Sequence, residues 1–556
     1  MKAWPLRLQR SLLLALALVL LSAPLAFAQE RFPQQNKWHR VTPSVVWCGD
    51  PDSTVTIEVH ITGRSDVAAV EVMYHEENPI PLYDDGTHGD VNAGDNVFTA
   101  ADVLIDCNPD HPINKVVNSR YGDMVVTLKN GRQLVNTYGI GVGMVNPRYK
   151  NQFEVMDFGG GLSATAYAFF IEDSSHEVFD DYPVAHIYCG KSNFEAFLKL
   201  YSVMPDEFDF VLLMPGMQML LPESHAENVP YDVLVSNSVE NIGLPIMDDS
   251  GQFGSAGRLK SMIYHSFGSL AIFDHEVAHT WGASYGDSLG LIQESGVSQG
   301  HWNKLSDIAG QLAAYYFDEN GNVGHFKDNG DGTWRLISNI EVEPYAPLEL
   351  YLMGLIPPEE VPPIHILTDP DLRDPERISA ASVRTITIEQ LMAAEGGSRV
   401  PGATESQKAF NLAFTVAQGT PFNDAAYAFF SLLSYSLMSA DPPEPYSSAA
   451  PFFWATGGRA TLNTRLPIDL PEPSRLPGQP TPTVAPASSV TDIPPTLPPT
   501  SSPITTNPTE IVVEETEPTP ETRDGFRFGN CPIIIIAFAP GIWAAILQAR
   551  RRREQR

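Results

Sequence analysis

The chain has 556 residues, 43% of them hydrophobic and 18% charged, with 67 acidic against 35 basic side chains and a formal charge of −32. That content supports several hydrophobic cores and excludes a fibrous or wholly disordered chain. The acidic excess repels phosphate backbones and so excludes nucleic acid as a partner. Four cysteines without a C-x-x-C pair exclude a disulfide-dense miniprotein and a zinc ribbon, which leaves histidine and carboxylate as the ligands of any metal.

Residues 1–28 predict a secretory signal peptide: Lys2, Arg7 and Arg10 precede an apolar run over 12–21, and Ala26-Phe27-Ala28 forms a small-x-small cleavage motif. The run is short for a hydrocarbon core of about 30 Å, so removal is expected rather than anchoring. Residues 29–146 alternate with period two at Val55, Ile57, Val59 and Ile61, at Val70 and Val72, and at Val126 and Leu128. Gly, Asp and Asn turns separate these runs, which predicts a small β-sandwich. In an oxidising compartment Cys48 and Cys107 either staple two strands or remain buried thiols. The region resembles the immunoglobulin or fibronectin type III modules that precede many bacterial surface enzymes. Its loop 84–96 gathers Asp84, Asp85, Asp90 and Asp95 among glycines. Such a loop suits Ca²⁺ but lacks the EF-hand spacing, and ordinary Asp-Gly turns are the preferred reading.

Residues 147–466 mix periods and predict an α/β (α+β) domain. Helical spacing over 192–204 is followed by a buried strand at 208–214, further strands at 231–239 and 259–265, and a helix of about three to four turns. Ser266 and Ser269 offer N-cap hydroxyls, Leu270, Phe273, Val277 and Trp281 form one apolar stripe, and Gly282 closes the helix. This helix contains His275-Glu276-Val277-Ala278-His279. The i, i+4 spacing puts both imidazoles on one face, where they can meet one ion, and Glu276 stands beside them, poised to hold a water.

On this motif the chain resembles the zincin metallopeptidases over about residues 147–358. In that family the active-site helix follows an edge strand that aligns the substrate backbone, and residues 259–264 would be that strand. The resemblance implies an endopeptidase with Zn²⁺ held by His275 and His279, in which Glu276 takes a proton from the zinc-bound water and passes it to the leaving amine. The metzincin pattern H-E-x-x-H-x-x-G-x-x-H is followed as far as Gly282, but Tyr285 occupies the position of that family's third ligand. Asp287, Glu294, His301 and Glu349 remain open for that role. His301, in Gly300-His301-Trp302, is preferred because a loop returning past Gly282 can bring a nitrogen over the site. Met353 resembles a Met-turn residue or fills core space, and Tyr351 is a candidate donor to a developing oxyanion. Residues 318–322 and 328–332 suit calcium or the turns of a hairpin. Cys189 reads as a buried thiol.

Residues 467–525 are dominated by Pro, Thr and Ser and predict a disordered stalk. The apolar composition of residues 526–549 predicts a transmembrane or sorting helix, and the arginines of 550–556 a basic cytoplasmic tail. This tail resembles bacterial C-terminal sorting signals, with Cys531 as part of the signal. The chain is therefore expected to be multidomain: a secreted zinc metallopeptidase acting on a protein or peptide substrate, outside the cell and tethered to membrane or envelope. The alternative is an adhesin or binding protein on the same scaffold without turnover. Glu276 between the two histidines favours the enzyme.

Overall fold

Period-two alternation becomes two facing sheets in the computed structural model, which describes residues 30–31, 37–477 apart from 62–63, 75–77, 175–190, 218–230, 266–269, 271–272, 283, 293–299, 315, 318–322, 339–343, 441–450, and residues 535–537. One sheet holds Lys37–Thr42, Thr54–Ile61 and Val97–Leu104; the other is built around Val67–Tyr74, Val117–Leu128 and Gln133–Val145. Ile57, Val59, Ile61, Val70, Val72, Val126 and Leu128 bury their side chains between them, as alternation requires. Cys48 and Cys107 form a disulfide with a Cα–Cα distance of 5.2 Å across 59 residues of sequence, which settles their pairing. Closing a loop of that length stabilises the fold by roughly 4 kcal/mol in the chain-entropy picture. Reduction, or Cys48→Ser with Cys107→Ser, is expected to lower the sandwich's thermal midpoint by several degrees in a calorimetric scan; an unchanged midpoint would show the bond to be dispensable.

Beyond the sandwich, short apolar runs form one mixed sheet. Strand β1 is Phe169–Glu172, β2 Phe210–Pro215, β3 Tyr231–Leu234, β4 Ser261–Tyr264 and β5 Ala409–Gln418. Their order is β1-β5-β2-β4-β3, parallel from β1 to β4, with β3 antiparallel to β4. Alternate residues of β2 face opposite layers. Val211 and Leu213 pack with Phe197 and Leu200 of helix α1 (Lys191–Val203), whereas Phe210 and Leu212 pack with Phe273, Val277 and Trp281 of helix α2 (Phe273–Gly282). Helices α3 (Pro347–Leu352) and α4 (Asp424–Met438) belong to the same layer as α2. Mixed α/β architecture with a β-rich N-terminal region follows. The two regions are joined: Asn423 Nδ2 donates to the Val45 carbonyl at 3.0 Å, Ser44 Oγ to Gln418 Oε1 at 3.0 Å, and Val45 and Val145 enter the core around α4.

Several expectations change. The strand over 259–265 is not an edge, because β4 lies between β2 and β3, and β3 in turn pairs on its outer side, antiparallel, with Ile535–Ala537. Those three residues are strand, where the apolar segment 526–549 was expected to be helix. No described helix is long and apolar enough to cross a membrane. Helix α2 has 10 residues, fewer than three to four turns. The stretch 467–477, placed in the stalk by composition, packs on the domain: Leu476 is buried, and Glu472 accepts from Tyr167 Oη and, at 2.6 Å, from Arg465 Nη1. Val323–Asp328 and Trp334–Ser338 form a hairpin in whose turn Gly330 N donates to Asp328 Oδ1 at 2.7 Å and Thr333 N to Asp331 Oδ1 at 3.1 Å, both Asx turns. The expected signal peptide, Cys189, Ser266, Ser269, Glu294, Cys531, residues 318–322, the rest of the stalk and the basic tail lie outside the described residues.

Candidate metal centre

Helix α2 packs against β3, β4 and α3, and every one of its residues is buried. Its apolar stripe anchors it to the sheet, so His275 and His279 must project from the other side. His279 Nε2 lies 3.1 Å from His275 Nε2, and His301 Nε2 lies 3.1 Å from the same atom. One ligand nitrogen from each lies within 4.8 Å of the others. The three side chains are 2–4% exposed. Tetrahedral ligands at 2.0–2.1 Å from one ion stand about 3.3 Å apart, so the spacing fits such an ion. His275 Nδ1 bonds the Gln311 carbonyl, which makes it the protonated nitrogen and leaves Nε2 a lone pair. Burial, followed by the charge of a neighbouring histidine, holds both His275 and His279 well below the ordinary imidazole range, in the neutral form that a metal requires.

His301 reaches the helix because residues 300–314 fold back upon it. Trp302 N donates to the Leu312 carbonyl at 2.8 Å, and Asn303 N to the Leu291 carbonyl at 2.7 Å. Gly282 makes room for this approach. A Cβ there would lie 2.3 Å from Leu312 Cδ1, so the glycine lets the Leu312 side chain pack directly against the end of the helix. On the far side of the segment, Asp307 accepts from Trp334 Nε1 at 2.9 Å and from His365 N at 2.7 Å, which ties it to the flanking small sheets.

Glu276 is fully buried, with the backbone of Asp232 beside its carboxylate. Burial first, then the charge of Asp232, pushes its carboxyl well above the usual range. Asp232 is the polar residue that sequence reasoning missed. It lies on β3, buried, accepts from Ser261 Oγ, and is itself raised by burial; Ser261 Oγ in turn is 3.0 Å from Thr280 Oγ1, one turn beyond Glu276. A lone Asp inside an apolar strand run was the available signal.

The other candidates go elsewhere. Asp287 is exposed in a 3-10 turn after the helix. Glu349 is buried but turned toward backbone N–H groups and the Trp302 indole. Tyr285 is buried with its ring centroid 6.2 Å from that of Tyr351. Tyr351 is buried, and its Oη accepts from Arg399 N at 2.9 Å. Met353 caps α3 in the core. Asp84, Asp90 and Asp95 do converge, yet Asp84 takes the N–H groups of Gly94, Asp95 and Asn96, and Asp90 those of Gly86 and Asn92, as turns would have it. Comparisons with protein families, characterised proteins and solved structures return no match.

Proposed function

We propose that the chain is a zinc-dependent endopeptidase whose centre is His275, His279 and His301 with Glu276, carried on a zincin-like domain and tethered outside the cell by its C-terminal segment. The observation that supports this reading is the meeting of three buried imidazoles, with His279 Nε2 and His301 Nε2 each 3.1 Å from His275 Nε2, where the residue following His275 is the buried carboxylate Glu276. An all-nitrogen set of three suits zinc among the common ions and leaves a fourth position open for chemistry. Zinc, when bound there, polarises a carbonyl and lowers the pKa of a water. Glu276 then does the proton work, accepting a proton at its carboxylate and returning it to the leaving amine. The Gln311 carbonyl keeps His275 in the right tautomer throughout.

The test is metal content per chain together with cleavage of casein or a peptide library, before and after chelation. About one zinc per chain, cleavage lost on chelation and restored by zinc are the expected results. A protein that binds zinc but cleaves nothing would move the reading to a surface binding protein, and one that takes up no zinc would remove the centre altogether.

A further inference from the structure

Both oxygens of Glu349 are fully used. Oε1 accepts from Trp302 Nε1 at 3.0 Å and Leu312 N at 2.6 Å; Oε2 accepts from Gln311 N at 3.0 Å and Ala346 N at 2.7 Å. Four donors meet the four acceptor sites of one carboxylate, and the side chain is 2% exposed. The donors are not scattered. Trp302 directly follows His301, and Gln311 is the residue whose carbonyl bonds His275 Nδ1. Ala346 begins α3, the helix that packs against α2. One side chain therefore joins the segment carrying the third histidine, the carbonyl that orients the first, and the helix behind both.

The backbone beside it is shaped to the same end. Gly310 has φ +80°, and a Cβ there would lie 2.4 Å from Glu349 Oε2 and 2.6 Å from Ala346 N. Only a residue without a side chain lets the loop pass this close to the carboxylate. Burial pushes the Glu349 carboxyl up to about 7, against the downward pull of its donors. A helix cap alone would need the Ala346 contact and none of the other three.

We infer that Glu349 is the positioning residue of the histidine cluster: it binds no metal, and it fixes His301 and the Gln311 carbonyl in the geometry that metal binding requires. This rests on the zinc reading above. Glutamine is the informative replacement, since it keeps the shape but turns one acceptor into a donor that must face two N–H groups.

The experiment uses the full chain. Zinc affinity is measured by chelator competition for wild type, Glu349→Gln and Glu349→Asp, with thermal midpoints of the metal-free proteins and visible spectra of the cobalt-substituted ones. Glu349→Gln is expected to weaken zinc by roughly 10–100-fold, as loss of a partner behind the ligands does, with an altered cobalt spectrum; Glu349→Asp, which keeps two carboxyl oxygens and adds no N–H donor, recovers part of the loss. Trp302→Phe removes a single donor and decides the matter if Glu349→Gln does not fold. Its expected loss is about tenfold, at the lower end of that range. Wild-type zinc affinity and an unchanged cobalt spectrum in a folded Glu349→Gln, or in Trp302→Phe where that variant decides, would overturn the inference and leave only a helix cap. Failure of wild type itself to bind zinc would instead overturn the zinc reading.

Discussion

Glu276→Gln is expected to retain zinc near one per chain while its kcat/KM on peptides falls by roughly 10²–10⁴-fold, the usual worth of a positioned acid–base group. The replacement keeps volume and leaves His275, His279 and His301 untouched, so the metal has no reason to leave. What disappears is the ability to accept a proton. In the metal-free protein burial, and then the charge of Asp232, disfavours the charged form of Glu276. A dication beside it reverses that preference and yields the carboxylate that the reaction needs. The metal-free variant should melt within a few degrees of metal-free wild type, since the replacement keeps the side chain's volume. Zinc analysis, peptide kinetics at saturating zinc and a melting curve of the metal-free form separate these effects. Equal cleavage by wild type and variant would take Glu276 out of the mechanism.

What was legible beforehand, and what was not, follows the range of the interactions. The i, i+4 relation of His275 and His279 is a property of one helix turn, so spacing alone puts them on one face. His301 lies 22 residues beyond His279, and its approach depends on the 300–314 segment, Gly282 and the Asp307 contacts, none of which a local pattern encodes. The sandwich strands were legible because alternation is local, while the order of the second sheet was not. Strand β3 precedes β4 in sequence but lies outside it, so the strand leading into the helix was mistaken for the edge. Glu349 shows the limit most clearly. Composition marks a carboxylate near a metal motif; only coordinates show that its oxygens turn to Trp302, Gln311, Leu312 and Ala346 instead. Proline and threonine content likewise hid the packing of Leu476 against the domain.

His301→Ala is expected to lose zinc on dialysis and cleavage with it, the opposite dissociation from Glu276→Gln. Two nitrogens from α2 cannot close a tetrahedral site, and the structure brings no carboxylate or thiolate among the described residues into the group formed by His275, His279 and His301. The drop in zinc affinity should therefore exceed the roughly 10–100-fold expected for a partner behind the ligands. A thermal-shift titration reads this directly: zinc stabilises whatever state binds it by RT ln(1 + [Zn]/Kd), so wild type should rise in midpoint with added zinc while His301→Ala stays flat. If His301→Ala instead titrates like wild type, the third ligand must come from elsewhere. Glu294, outside the described residues, would then be the first residue to replace, because Asp287 is exposed and Glu349 is already fully engaged.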